Sequence, residues 1–231
     1  MSITLFVRSY GPDYKWLTYA IASMQKYLTG YAASVLIVPE GQVPPAEAFA
    51  FFNSIIYSRQ YNHLDGYIGQ QLDKLDAYQH VETEHILYTD SDCIYTDYFN
   101  LEDMFSLKQP ILYMTPYYLL PPQGGHWQGV VEKALGFVPT HEFMRTFPIM
   151  HRTETVRELS EAYPHLYNHA QGITNRAFSE FNCIGAFAYQ RNHPYYFTED
   201  IKPWPCTQYW SWGGISPSIK TEIESIINGT H

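Results

Sequence analysis

Residues 66–96 read GYIGQQLDKLDAYQHVETEHILYTDSDCIYT. Residues 66–80 read as a helix, and His85–Thr89 as a short apolar strand running into two aspartates, Asp90 and Asp92. The same alternation extends upstream. ITLFV (3–7) reads as a buried strand. Residues 11–30 read as a helix, with Pro12 in its first turn, Trp16, Leu17, Ala20, Ile21, Met24 and Leu28 apolar, and Gly30 as its stop. SVLIV (34–38) is a second strand closed by the breaker run PEGQVPP, followed by a helix over 45–53 and a strand at IIYS (55–58). Strand and helix in alternation predict an α/β fold: one Rossmann-like domain with a mostly parallel central sheet flanked by helices. Ligands of such sheets bind at the carboxyl ends of the strands, where Arg8–Tyr10 and Asp90–Asp92 fall.

Beyond residue 105 the rhythm is lost. Residues 109–129 read as strand then loop, VEKALG (131–136) as a short helix, TFPIMHR (146–152) as extended, and 153–166 as a helix. FSEFNCIGAFAYQ (178–190) is helical or strand-like, and a tail rich in Trp and Pro follows from His193. With no repeat or linker, the chain divides into a ligand-binding half, 1–105, and a substrate-facing half, 106–231, of one domain.

Composition narrows the function. The 231 residues are 45% hydrophobic and 16% charged, as expected of a globular chain, and 17% are aromatic, many of them in Pro/Gly-rich stretches that suit partly wet binding sites. A net charge of −9 is opposite to the basic footprint of proteins that grip duplex nucleic acid. Three widely spaced cysteines without a CxxC pair indicate neither a disulfide framework nor a zinc site, so a reducing cytoplasm is the expectation. The opening stretch does not read as a signal peptide and no apolar run approaches ~20 residues, so membrane attachment would be peripheral. The sequon Asn228-Gly229-Thr230 reads as a chance match. HExxH, GxSxG and GxxxxGK[ST] are absent, which removes the common peptidase, esterase and nucleoside-triphosphatase readings.

Two side chains at i and i+2 on extended backbone point the same way, with Cα atoms roughly 6–7 Å apart. Two carboxylates so placed repel one another unless a positive partner sits between them. Mg²⁺ or Mn²⁺ is the natural partner, because it takes one or two protein carboxylates and completes its shell with phosphate and water. Paired acids are common, as ETE (82–84) and EIE (222–224) show. What distinguishes Asp90 and Asp92 is their place between the apolar ILY and CIY.

At this point the sequence resembles the GT-A-type glycosyltransferases, which use nucleotide-sugar donors and a DxD metal motif. FVRSYGPDY (6–14) looks like their opening strand and base-contacting loop, 66–96 like the helix, strand and DxD core, and FSEFNCIGAF (178–187) like the acidic segment near the acceptor. The resemblance implies a metal-dependent transfer of a sugar from a nucleotide-diphosphate donor, a UDP-sugar foremost, to a hydroxyl acceptor. It makes Asp90 and Asp92 metal and donor ligands, places Ser91 near the ribose or sugar, Arg8, Ser9 and Tyr10 at the nucleoside, and Gln71 and Lys74 at the donor sugar or phosphates. KPW (202–204) is similar to the HxxGxxKPW ending of glycogenin-like enzymes, which implies Lys202 on the diphosphate; Tyr196 stands where that pattern has His, leaving His193 as candidate third metal ligand. Glu180, between aromatics, is the candidate base, with Asp92 as the other catalytic carboxylate. Trp127, Trp204, Trp210 and Trp212 offer stacking surfaces for the acceptor, although some would instead plug the core.

Within the class the acceptor is a glycan or small molecule; the second reading is a phage-type enzyme that glycosylates hydroxymethylated pyrimidines in DNA. A phosphatase of the haloacid dehalogenase type also carries DxD at a strand end, but near the start of the chain and with Thr or Val where Ile94 stands. An aromatic-rich carbohydrate- or ion-binding module is the non-enzymatic rival.

Overall fold

The strand–helix alternation is realised in the first half as β1 (Ile3–Arg8), α1 (Tyr14–Tyr27), β2 (Ala33–Pro39), α2 (Ala46–Phe51), β3 (Ser54–Ser58), α3 (Gly66–Leu75) and β4 (His85–Asp90). The computed structural model describes residues 1–121, 126–173 and 176–230. Further along come β5 (Cys93–Tyr95), β6 (Gln109–Tyr113), α4 (His126–Leu135), β7 (Ile149–Arg152), α5 (Thr153–Ala162), α6 (Leu166–Gln171), α7 (Glu180–Gln190), β8 (Tyr196–Thr198), β9 (Cys206–Gln208) and α8 (Pro217–Asn228).

The central sheet runs β7-β4-β1-β2-β3, parallel except for the edge strand β7, which pairs antiparallel with β4. Alternate strand residues separate two cores. Phe6, Val35, Ile37, Ile86 and Tyr88 face the side covered by α3, α5 and α7. Leu5, Val7, Leu36, Val38 and Leu87 face the side covered by α1, α2 and α8. Burial on both faces explains why these strands read as continuous apolar runs, and each buried Leu or Val contributes about 2 kcal/mol of transfer free energy. Among the described residues no helix is long and apolar enough to cross a membrane.

Local chemistry moves several boundaries. Gly11–Asp13 forms a 3₁₀ turn ahead of α1, and Leu28–Thr29 leaves the helix to pair with Phe99–Asn100. Gly30 therefore closes a strand rather than a helix, at φ +93°, where a Cβ would stand 2.6 Å from Asn100 Oδ1. Asp76–Gln79 tightens α3 into a 3₁₀ turn, and Pro164 separates α5 from α6, so the helices expected over 66–80 and 153–166 are each shorter. Residues 180–190 are helical, started by Ser179, whose hydroxyl accepts from Asn182 N at 3.4 Å. The C-terminal helix α8, which packs Ile223 and Ile226 into the second core, escaped the sequence reading despite clear punctuation: Ser216 as N-cap, Pro217 at the first helical position and Gly229 as left-handed stop.

One glycine fixes the packing of the second half. A Cβ on Gly185 of α7 would lie 2.4 to 2.9 Å from Phe143 ring and β atoms. Although Ala is the better helix former by about 1 kcal/mol, Gly185→Ala should lower stability by about 2 kcal/mol, read as a smaller urea midpoint at unchanged slope.

Candidate active site

The carboxyl ends of β1 and β4 open into a cavity of about 660 Å³. Arg8, Tyr10, Gln71, Lys74, Asp90, Ser91, Asp92, Glu180 and Trp210 all line it, so most of the residues singled out in the sequence meet in one cleft. Sheet register explains part of this. Arg8 and Asp90 are register partners on adjacent strands, about 4.8 Å apart at Cα, and point to the same face, toward α3 and α7.

Lys74 is the hub. It lies on the buried side of α3 with a side chain 3% exposed, its Nζ 2.8 Å from Asp90 Oδ1 and 3.3 Å from Glu180 Oε1. The same ammonium is 4.9 Å from the Phe181 ring centre and 5.9 Å from that of Phe147. Burial alone would depress the Lys74 pKa, but the two carboxylates outweigh it and raise it. Glu180 is raised by burial against the opposing pull of Lys74, so it remains more basic than an exposed glutamate. Ser179 caps α7 and places Glu180 at its first residue.

The aspartates do not sit on continuous extended backbone as expected. β4 ends at Asp90, and Ser91–Asp92 form a turn before β5. The carboxylates still interact: burial first and Asp90 second push the Asp92 pKa up to about 7. Asp92 Oδ2 accepts from Ser211 N at 2.9 Å, and Tyr209 N donates to the Asp92 carbonyl at 2.8 Å. Asp92 Oδ1 is buried without a hydrogen-bond partner, as is Gln71 Oε1. A buried, unpartnered carboxylate oxygen repelled by its neighbour fits a hard divalent cation. Among the described residues no group of three or more His, Cys, Asp and Glu side chains is arranged around a metal position.

Arg8 is 8% exposed, and its Nε donates to Asp73 Oδ2 at 3.2 Å. Asp73 Oδ1 accepts from Ser58 at 2.7 Å. Tyr10 lies over the guanidinium, with the Arg8 Cζ 5.6 Å from the ring centre.

Other expected residues stand elsewhere. Ser9 is buried with its hydroxyl unpartnered and is not part of the cavity wall. His193 bonds Thr155 at 2.9 Å and faces Glu158 at 3.4 Å beside the Phe187 ring, so it does not join the aspartates as a third ligand. Lys202 points to solvent, its side chain 73% exposed and 3.5 Å from Asp200. Trp204 stacks on Phe99 and Tyr113 and plugs the core. Trp127 is half-buried on α4 and outside the cavity wall; residues 122–125 of its loop lie outside the described residues. Trp210 and Trp212 are 64% and 85% exposed at the cavity wall.

The sequence reading missed Asp13, Tyr67, Gln70, Arg145, Arg176 and Ser211. Arg145 is held at 2.9 Å by the buried Glu142, and Arg176 at 3.0 Å by Asp65. Asp13, which accepts a hydrogen bond from the Ser211 side chain and is raised by burial, adjoins Pro12 at the strand end and was the one residue of this set with a positional signal.

The Asp92 shift has a signed consequence. Because its pKa is higher in the folded chain, Asp92 stabilises the fold most below its unfolded value near 4, and that contribution is lost as pH rises through about 7. Asp92→Asn, in chelator, should therefore be more stable than wild type at pH 8 by on the order of 2 kcal/mol. The gap should close as the pH falls toward 4, which thermal melts across that range will measure.

No curated protein matches the chain. Residues 19–182, which carry Gln71, Lys74, both aspartates and Glu180, match the family of unknown function DUF6492, and the chain belongs to that family.

Proposed function

We propose that the chain is a metal-dependent glycosyltransferase of GT-A type that moves a sugar from a nucleotide-diphosphate donor, UDP-sugar first among them, to a hydroxyl acceptor. The observation that carries this reading is the convergence of Asp90, Asp92, Lys74, Gln71, Glu180 and the Arg8–Tyr10 turn on one cavity at the carboxyl ends of β1 and β4.

Asp92, with its free Oδ1, and Asp90 would hold Mn²⁺ or Mg²⁺, which when bound supplies positive charge to the leaving diphosphate. Lys74 pairs with both Asp90 and Glu180 in a buried site and fixes where both point. Gln71 Oε1 is an unfilled acceptor suited to a sugar hydroxyl. Glu180, basic for a carboxylate and walled by Phe181 and Phe147, takes the acceptor proton or braces the donor sugar. Trp210 and Trp212 give flat apolar faces at the cavity wall for an acceptor ring. Three unpaired thiols fit a cytoplasmic setting.

A thermal-shift screen of UDP, GDP, TDP and CMP sugars with and without Mn²⁺ tests the reading. One nucleotide should raise the melting temperature in a metal-dependent way, since ligand at 100 Kd adds about 2.7 kcal/mol to the folded state. Asp90→Asn and Asp92→Asn should abolish that shift, and a wild type indifferent to every donor would sink the reading. Lys74→Ala should remove turnover and also cost about 3 kcal/mol in urea unfolding, because Asp90 and Glu180 are left buried without their counter-charge.

A further inference from the structure

In the glycosyl-transfer reading the leaving diphosphate needs a protein cation, and the cavity is short of free ones. Lys74 is held between two carboxylates. Arg145 and Arg176 are matched by Glu142 and Asp65. Lys202, which the family resemblance would put on the phosphates, points to solvent beside Asp200 and is not part of the cavity wall. Arg8 is likewise matched, by Asp73, and differs in burial, since the Arg145 and Arg176 side chains are 32% and 65% exposed. Its Nε alone is engaged, by Asp73, and neither Nη has a hydrogen-bond partner among the described residues, although the side chain is 7% exposed and lines the cavity.

Three features build this position. Asp73 is anchored from behind by Ser58, so it orients the guanidinium instead of following it. Tyr10 covers one face of the guanidinium. Gly69 of α3 lets the helix approach: a Cβ there would lie 3.2 Å from the Tyr61 carbonyl and 4.0 Å from an Arg8 Nη. The free edge of a guanidinium offers parallel N–H donors matched to two oxygens of a phosphate. Arg8 and Asp90 are register partners on adjacent strands, so their Cα atoms stand about one strand spacing apart, and both side chains line the same cavity.

We infer that Arg8, assigned to the nucleoside on resemblance, instead clamps the diphosphate of the donor, replacing the lysine that this chain turns to solvent. The inference rests on the glycosyl-transfer reading. As the bond between the anomeric carbon and the β-phosphate oxygen breaks, its electron pair stays on that oxygen. The acceptor oxygen forms the new bond and releases its proton to Glu180 or water. Arg8 remains protonated throughout and donates hydrogen bonds to the phosphate oxygens as their charge grows.

Calorimetric titration of the full chain with UDP, GDP, the matching nucleosides and inorganic pyrophosphate, all with Mn²⁺, tests the assignment. Arg8→Gln combined with Asp73→Asn removes both buried charges together, and Arg8→Lys keeps the charge but loses the fork. The double variant should bind diphosphates and pyrophosphate at least about tenfold more weakly, with nucleoside affinity within about twofold of wild type, and Arg8→Lys should fall between. Loss of nucleoside and diphosphate binding alike, with pyrophosphate unchanged, would return Arg8 to the nucleoside and overturn the inference while leaving the glycosyltransferase reading intact. A wild type that binds neither diphosphate nor pyrophosphate overturns both. If circular dichroism shows the double variant unfolded, Arg8→Lys carries the same comparison.

Discussion

The buried ammonium of Lys74 ties together α3, the end of β4 and the start of α7 at the edge of the apolar core that these three elements share. Its side chain has almost no water to replace its hydration, so it is stable there only with Asp90 and Glu180 around it and the faces of Phe181 and Phe147 beside it. Two carboxylates at 17% and 5% side-chain exposure share that one cation. Beside this pair, Asp92 adds a further acid, whose pKa is raised first by burial and then by Asp90.

The other cations of the cleft follow a different rule. Arg8, Arg145 and Arg176 each have a dedicated acid, and in the first two cases that acid is itself fixed: Asp73 by Ser58, and Glu142 by Met144 N at 3.0 Å. An arginine held through one edge keeps its orientation before a ligand arrives, and little side-chain entropy remains to be lost on binding. The wall thus combines arginines already held by acids with the unfilled acceptors of Gln71 and Asp92.

The parallel sheet was legible in the sequence because strands buried on both faces must be apolar throughout, and ITLFV, SVLIV and HILYT leave no other reading. Asp90 and Asp92 were legible because they follow an apolar strand at its carboxyl end, whereas Lys74, Gln71 and Glu180 were assigned through the family resemblance and line the same cavity. His193 and Lys202 were not legible, since their assignment relied on a terminal pattern the chain only partly retains, and a tail without periodic structure carries no positional rule. Arg176 is placed by a partner 111 residues away, Asp65, that no local pattern announces, and Arg145, although paired with Glu142 three residues before it, enters from a segment without periodic structure. Trp204 and Trp210, six residues apart in the same tail, went to opposite fates: one stacks in the core and the other stands 64% exposed.

That tail does more for the site than its irregular sequence suggested. β9 pairs antiparallel with β5, immediately after Asp92, and from there the backbone N–H groups of Tyr209 and Ser211 reach the carbonyl and the carboxylate of Asp92. The Ser211 side chain holds Asp13, and the Tyr209 hydroxyl donates to Glu222 of α8 at 2.7 Å, which docks against α1. A helix at the far end of the chain is therefore coupled through a short strap to the carboxylate proposed to meet the cation. This strap lies wholly outside residues 19–182, the region matched to DUF6492. Lys74, the aspartates and Glu180 thus lie in the matched region, whereas Trp210 and Trp212, at the wall of the same cavity, lie beyond it and are held to the site through Asp92 and Asp13.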